Sequence, residues 1–174
     1  DDRLEALISL IDGAQESLKG FYFILAEDVA GTRVRDALLA AARRGVDVCL
    51  MLDDFASSAR TAFFDELVAA GGRFARFSPR AGARYLIRNH QKMMIADAAR
   101  VMGGGFNISD EYFAPPEEDG WCDLGLLIEG PVAARYAQWH ALLEQAIQPE
   151  GTRFGAIRRM VRDWEPGDGR VQLH

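Results

Sequence analysis

The 174 residues predict an α/β sandwich, a mixed β-sheet with helices on both faces. Two observations predict it. Stretches with apolar residues at helical spacing alternate with short apolar runs along the chain. One of those runs, "VDVCLML" at 46–52, is apolar almost throughout, as a central strand covered on both faces must be.

Taken in order, "DDRLEALISLIDGAQESL" carries Leu4, Leu7, Ile8, Ile11, Ala14 and Leu18 at helical spacing, and "FYFIL" at 21–25 reads as the strand that follows. "GTRVRDALLAAARRG" predicts a helix with Thr32 as cap, Gly45 as stop, and Val34, Leu38, Leu39 and Ala42 on one stripe. The strand at 46–52 comes next. Residues 58–70 return to helix through Phe63, Leu67 and Ala70, closed by Gly71 and Gly72, before "RFARF" at 73–77 as a third strand. The second half is strand-rich: 90–96, a turn around Asp97 to Arg100, 101–105 and 122–130. Pro131 then opens an amphipathic helix to residue 147, with Val132, Tyr136, Trp139, Leu143 and Ile147 on its stripe. The expected organisation is one domain over 1–148, followed at 149–174 by a helix and the opening of a further strand.

Composition excludes several classes. With 49% hydrophobic and 26% charged residues the chain builds one full core and is neither disordered nor made of spanning helices. A net charge of −6 counts against a sequence-indifferent nucleic-acid binder, which needs a basic surface. The basic stretches at 42–45, 73–88 and 153–162 are candidates for local patches, the first and third reading better as solvated surface. Cys49 and Cys122 match no metal spacing and are expected to form no ligand cluster with His90, His140 and His174, so no metal is expected. Cys49 reads as an inert core thiol, and His140, on an amphipathic helix, as a surface or core-edge hydrogen-bonding side chain.

The chemistry concentrates at "NHQKMMIAD", residues 89–97. On a strand, His90, Lys92 and Met94 share one face while Gln91, Met93 and Ile95 share the other. His90 and Lys92 therefore point the same way about 7 Å apart, a usable distance for a nucleophile and a cation serving one anionic group. Asp97 follows Lys92 by five positions and has the opposite parity to His90, so it reads as a structural residue of the turn. Seven residues further comes "GGFN", ending at Asn107. Asp53 and Asp54 close a strand where α/β folds place functional groups, with capping of the next helix an equal reading. Trp121 reads as either pocket wall or core.

The segment H-x-K-x-x-x-x-D followed by Gly-Gly-x-Asn resembles the H-K-D motif of the phospholipase D superfamily. "VDVCLMLDDFA" at 46–56, "GFNISDEYF" at 105–113 and "WCDLGLLIEGPV" at 121–132 are similar to the first half of bacterial cardiolipin synthases and related phosphatidyltransferases. The resemblance runs roughly from residue 4 to 147. It implies a histidine nucleophile, His90, that attacks phosphorus to give a phosphohistidine, with Lys92 and Asn107 holding the phosphoryl oxygens and Gly104 and Gly105 letting the backbone come close. Gly105 stands where many members carry serine. An acidic residue should accept the His90 Nδ1 hydrogen; Asp123 is the candidate, with Glu111 or Asp119 as alternatives. No cofactor is implied.

The family mechanism also needs a second H-K-D histidine as acid for the leaving group, and neither His140 nor His174 has a lysine at the required offset. The partners implied are a phospholipid substrate, peripheral membrane contact, and a second H-K-D half supplied by a missing C-terminal region or by a homodimer. The implied location is bacterial, in the cytoplasm or at the inner face of the membrane. A homodimeric phosphodiesterase or nuclease and a catalytically silent domain are the competing readings. Retention of His90, Lys92 and Asn107 together argues against silence, because the fold alone does not require that trio.

Overall fold

The computed structural model describes residues 2–78, 89–147 and 162. The elements are α1 (Asp2–Asp12), β1 (Ser17–Tyr22), α2 (Val29–Arg43), β2 (Asp47–Asp53), α3 (Asp65–Ala69), β3 (Arg73–Phe77), β4 (Met93–Ala96), β5 (Arg100–Gly104), α4 (Asp110–Phe113), β6 (Gly125–Glu129) and α5 (Val132–Ile147). One sheet runs β3-β2-β1-β4-β5-β6. β1, β2 and β3 are parallel, with a helix in each crossover, whereas β4, β5 and β6 join as antiparallel neighbours. The expected mixed sheet is therefore present, and its helices lie on both faces.

Alternation along the central strands divides the core in two. Leu18, Tyr22, Leu50, Leu52 and Met94 join Leu7 and Ile11 of α1 and Leu38 of α2 on one face. Phe21, Met51, Met93, Ile95 and Val101 join Ala133 and Leu143 of α5 on the other. Gly20 sits in close packing: a Cβ would stand 2.9 Å from Leu50 Cδ1 and 3.0 Å from the Met94 methyl, so both side-chain ends would have to shift. Each large apolar side chain removed from water at this layer contributes about 1.5–3 kcal/mol.

Three sequence expectations shift. β1 begins at Ser17 rather than at 21, and α1 stops at Asp12, although Ala14 and Leu18 continue the helical spacing. The cause is tertiary. The Asp97 carboxylate accepts the backbone N–H of Gln15 (3.0 Å), Glu16 (2.7 Å) and Ser17 (2.9 Å), which draws this stretch out of the helix. Secondly, α2 is capped by Asp28, which accepts from Gly31 N–H (2.8 Å), and not by Thr32. Asp110 adds a second carboxylate by accepting from Ala30 N–H (2.7 Å), and Gly31 is necessary because any side chain there would run into the Ala26 carbonyl. Thirdly, regular structure in 58–70 begins only at Thr61. Ser57 Oγ donates to the Leu25 carbonyl (2.9 Å) and Arg60 N–H donates to Glu27 (2.6 Å), holding the preceding residues extended. The helix and strand expected within 149–174 lie outside the described residues.

Asp97 also starts the β4–β5 turn. Its φ is 55° and that of Ala98 is 50°, with Ala99 N–H closing the turn on the Ala96 carbonyl at 3.0 Å. Burial alone would raise the Asp97 carboxyl, but the amides of Ser17, Glu16 and Gln15 and the charge of Arg100 outweigh it and hold the group below its ordinary value. Its stabilisation is therefore complete above the unfolded value of about 3.9 and fades as pH falls through the lower folded value. Asp97→Ala should cost about 2–3 kcal/mol in urea unfolding at neutral pH, since it removes charged acceptors from three amides and strains a left-handed residue. The difference from wild type should shrink below pH 4.

Candidate active site

His90 and Lys92 lie just ahead of β4, yet the strand alternation extends back through them. Gln91 Oε1 accepts from Trp139 Nε1 of α5 at 2.7 Å, while Lys92 turns to the opposite side with Met94. His90 is exposed and Lys92 is only 5% exposed. Lys92 Nζ stands 3.1 Å from His90 Nδ1 and donates to the His90 carbonyl at 2.8 Å. Phe23, one residue past β1, floors the site: its ring centroid is 4.5 Å from that of His90 and 5.3 Å from Lys92 Nζ. A cation over a ring face is favoured, and the aromatic wall excludes water that would weaken its charge.

Electrostatics tune both groups. Burial pushes the Lys92 ammonium down to about 8, with the charge of Asp123 acting the other way. Burial and then the positive charge of Lys92 lower His90 from its ordinary value, opposed by Asp53. An ammonium has only hydrogens to give, so with Lys92 charged the bare nitrogen of His90 is Nδ1 and the ring hydrogen sits on Nε2.

The expected orienting contact is not present. Asp123 Oδ1 accepts from its neighbour Leu124 N–H (2.8 Å), and His90 Nδ1 faces Lys92. The physical reason is its seat on the glycine turn. A Cβ on Gly105 would collide with Asp123 Oδ1, and one on Gly104 with the Leu124 carbonyl, so the segment before β6 fills the space that side chains on these glycines would take. Gly104 and Gly105 are themselves exposed. Neither alternative reaches His90: Glu111 is exposed and accepts from Ser109 Oγ (3.4 Å), and Asp119 is exposed in a left-handed turn at φ 59°. The carboxylate that acts on His90 electrostatically from the strand ends is Asp53, 1% exposed, which accepts from Phe55 N–H (3.0 Å).

Asn107 is also 1% exposed. Its Oδ1 accepts from Ile24 N–H (3.0 Å) and its Nδ2 donates to Tyr112 Oη (2.8 Å), leaving one amide hydrogen for a further acceptor. Asn107 thus ties the turn after β5 to the segment after β1. Tyr112 and Phe23 escaped the sequence reading because apolar rings in apolar runs carry no signal of what lies beside them; for Asp53, the end of a buried parallel strand was the available signal. Trp121 is pocket wall, 56% exposed, its ring 5.3 Å from that of Tyr112. With Arg3, Phe113, Pro115 and Asp123 it lines a cleft of about 430 Å³ beside the glycine turn.

The expectation that histidine and cysteine form no cluster fails. Cys49, His140 and Glu144 come together on the α5 face, because the fold closes 91 residues of separation that spacing rules cannot see. No helix among the described residues is long and apolar enough to cross a membrane.

A family model described as cardiolipin synthase, PLD-like domain, matches residues 7–143. The major cardiolipin synthase ClsA of Bacillus subtilis is 35% identical over 135 residues, 74% of this chain and 28% of that protein. Cardiolipin synthase B of Shigella flexneri is 34% identical over 176 residues, 97% and 42% of the respective chains. The chain thus spans less than half the length of these relatives. Among solved structures, the phospholipase D family member Nuc of Salmonella typhimurium superimposes with a TM-score of 0.57 at 25% identity, covering 79% of this chain and 83% of Nuc. A phosphatidylserine synthase of Haemophilus influenzae shares the fold with a TM-score of 0.64 at 15% identity, covering 92% and 40%. With a family match over most of its length, this chain belongs to the cardiolipin synthase PLD-like domain family of the phospholipase D superfamily.

Proposed function

We propose that the domain is one catalytic half of a bacterial phosphatidyltransferase of the cardiolipin synthase type, working on phospholipid at a membrane surface. The observation that carries this reading is the Lys92–His90 contact of 3.1 Å, a buried cation and an exposed imidazole meeting beside Gly104 and Gly105. An arriving phosphodiester competes for Lys92. Once the ammonium turns to the phosphoryl oxygens, Nδ1 is free to take the ring hydrogen and Nε2 becomes the nucleophile. Its lone pair forms the N–P bond as the P–O bond to the first alcohol breaks. A histidine of a second H-K-D motif protonates that alcohol and later deprotonates the acceptor alcohol that attacks the phosphohistidine. Lys92 and the remaining Nδ2 hydrogen of Asn107 carry the charge that develops on oxygen, and the bare Cα atoms of Gly104 and Gly105 leave room for the phosphate to approach. Asp97 acts through the fold.

The second motif fits a downstream half, since relatives extend well beyond the matched region. A homodimer that supplies the second histidine from another copy is the other reading, favoured by the coverage of 83% of Nuc. The formal charge of −6 weighs against nucleic acid as its substrate.

Supplied with its second half, or as a homodimer, the domain should trap an acid-labile, alkali-stable phosphoenzyme from labelled phospholipid when quenched without acid. His90→Asn should abolish the adduct and leave circular dichroism unchanged, because the side chain is exposed. Lys92→Met should retain the nucleophile and lose on the order of 100-fold or more in kcat/KM. An adduct that survives His90→Asn, or inversion of configuration at phosphorus, overturns the assignment.

The pH profile follows from the same two groups. His90 must be neutral to attack, so the acid limb of kcat/KM should lie below the ordinary imidazole value of about 6.5. Lys92 must be charged, so activity should fall as pH rises through about 8. Lys92→Arg, charged throughout, should remove the part of the alkaline limb that comes from Lys92 and leave the part that comes from deprotonation of the second histidine.

A further inference from the structure

On the α5 face, Cys49 Sγ, a ring nitrogen of His140 and a carboxylate oxygen of Glu144 lie within 4.8 Å of one another. His140 and Glu144 are four residues apart on α5 and so occupy one stripe of that helix. Cys49 comes up from β2 and shares the face of Met51. The imidazole is fully buried, and its Nε2 faces the Gly20 carbonyl at 3.1 Å. A carbonyl only accepts, so Nε2 carries the hydrogen and Nδ1 holds a bare lone pair. Among the described residues that Nδ1 has no hydrogen-bond partner. Metal-bound imidazoles characteristically donate their second ring N–H to a backbone carbonyl, as this one does.

We propose that Cys49, His140 and Glu144 form a site for a thiophilic divalent cation of the Zn2+ type, bound through Cys49 Sγ, His140 Nδ1 and a Glu144 carboxylate oxygen. Ligand atoms around a tetrahedral Zn2+ stand roughly 3.3–3.8 Å apart, so the trio closes by about 1 Å on binding. Glu144, at the rim, supplies that movement: it turns from Arg73 Nε (3.1 Å), and Arg73 keeps its bond to Asp47 (2.6 Å). The charged groups around the trio are Lys19, Arg73 and Asp47, and Lys19 is itself tied to Asp47 at 2.5 Å. As the S–metal bond forms, the Cys49 thiol gives its proton to solvent. The site is separate from the catalytic one: Cys49 lies four residues, or about 13 Å along β2, from Asp53 beside His90. Its role is to tie α5 to the sheet.

Metal binding is measured on the 174-residue chain with Co2+, whose thiolate-to-metal charge-transfer absorption reports a sulfur ligand. Wild type should take up one equivalent with that band, and Zn2+ should displace it. Cys122→Ser, which removes the exposed thiol, should keep the band. Cys49→Ser should lose it. Glu144→Gln, at the rim where folding is least at risk, should weaken binding about tenfold or more. A folded wild type without the band, a band that survives Cys49→Ser, or affinity unchanged in Glu144→Gln overturns the site.

Discussion

Three successive backbone N–H groups, those of Gln15, Glu16 and Ser17, end on the carboxylate of Asp97, and the architecture depends on that convergence. It sets where α1 gives way to β1 and joins the start of β1 to the end of β4. Asp97 N–H in turn donates to the Ser17 carbonyl at 2.9 Å, so the two strands are clamped from both sides. With that end held, the antiparallel register of Leu18 opposite Ala96 through Phe21 opposite Met93 carries Phe23 and His90 to the same edge. A charged acceptor for consecutive amides is stronger than neutral hydrogen bonds in the same place. The aspartate of the H-K-D segment thus fixes the register from the opposite end of the strand.

At that edge the site is assembled by backbone as much as by side chains. Asn107 bridges Ile24 and Tyr112, and Ser57 both donates to and accepts from Leu25, so the loops after β1, β2 and β5 are bound to each other through buried polar groups. Buried polar groups bonded in this way are rigid, because any displacement leaves a donor without water or partner. Lys92 is held differently. Its ammonium is nearly excluded from solvent, faces a carbonyl, an imidazole and a ring, and meets no carboxylate within bonding distance among the described residues.

Gly105 illustrates how one departure from a family pattern is matched by another residue. A side chain at this position requires the Asp123 carboxylate to move, because Asp123 Oδ1 occupies the place of its Cβ. The acid that the resemblance assigns to His90 is therefore engaged with the glycine turn and with Leu124, and its charge acts on Lys92. The α5 face is organised by different means. There a helix is joined to the sheet by Trp139 on Gln91, His140 on Gly20 and Glu144 on Arg73, with the apolar cluster of Phe21, Met51 and Leu143 between them.

Element order, the mixed sheet with helices on both faces, and the offsets that single out His90, Lys92 and Asn107 were all legible in the sequence. Each depends on local rules: periods of 3.6 and 2, glycine at helix ends, and fixed offsets along one strand and turn. Even the face on which Lys92 lies followed from parity, since alternation does not depend on what is packed above it. What tertiary structure decided involves partners far apart in the chain. Asp97 moved the start of β1 although Ala14 and Leu18 continue a helical stripe, and Asp28 with Asp110 displaced Thr32 as the cap of α2. Lys92 took the Nδ1 that an acid was expected to hold, and Cys49 met His140 and Glu144. Hydrogen bonds, charge and ligand chemistry are selected by distance in space, and that distance is set only when strands separated by 80 or more residues come into register.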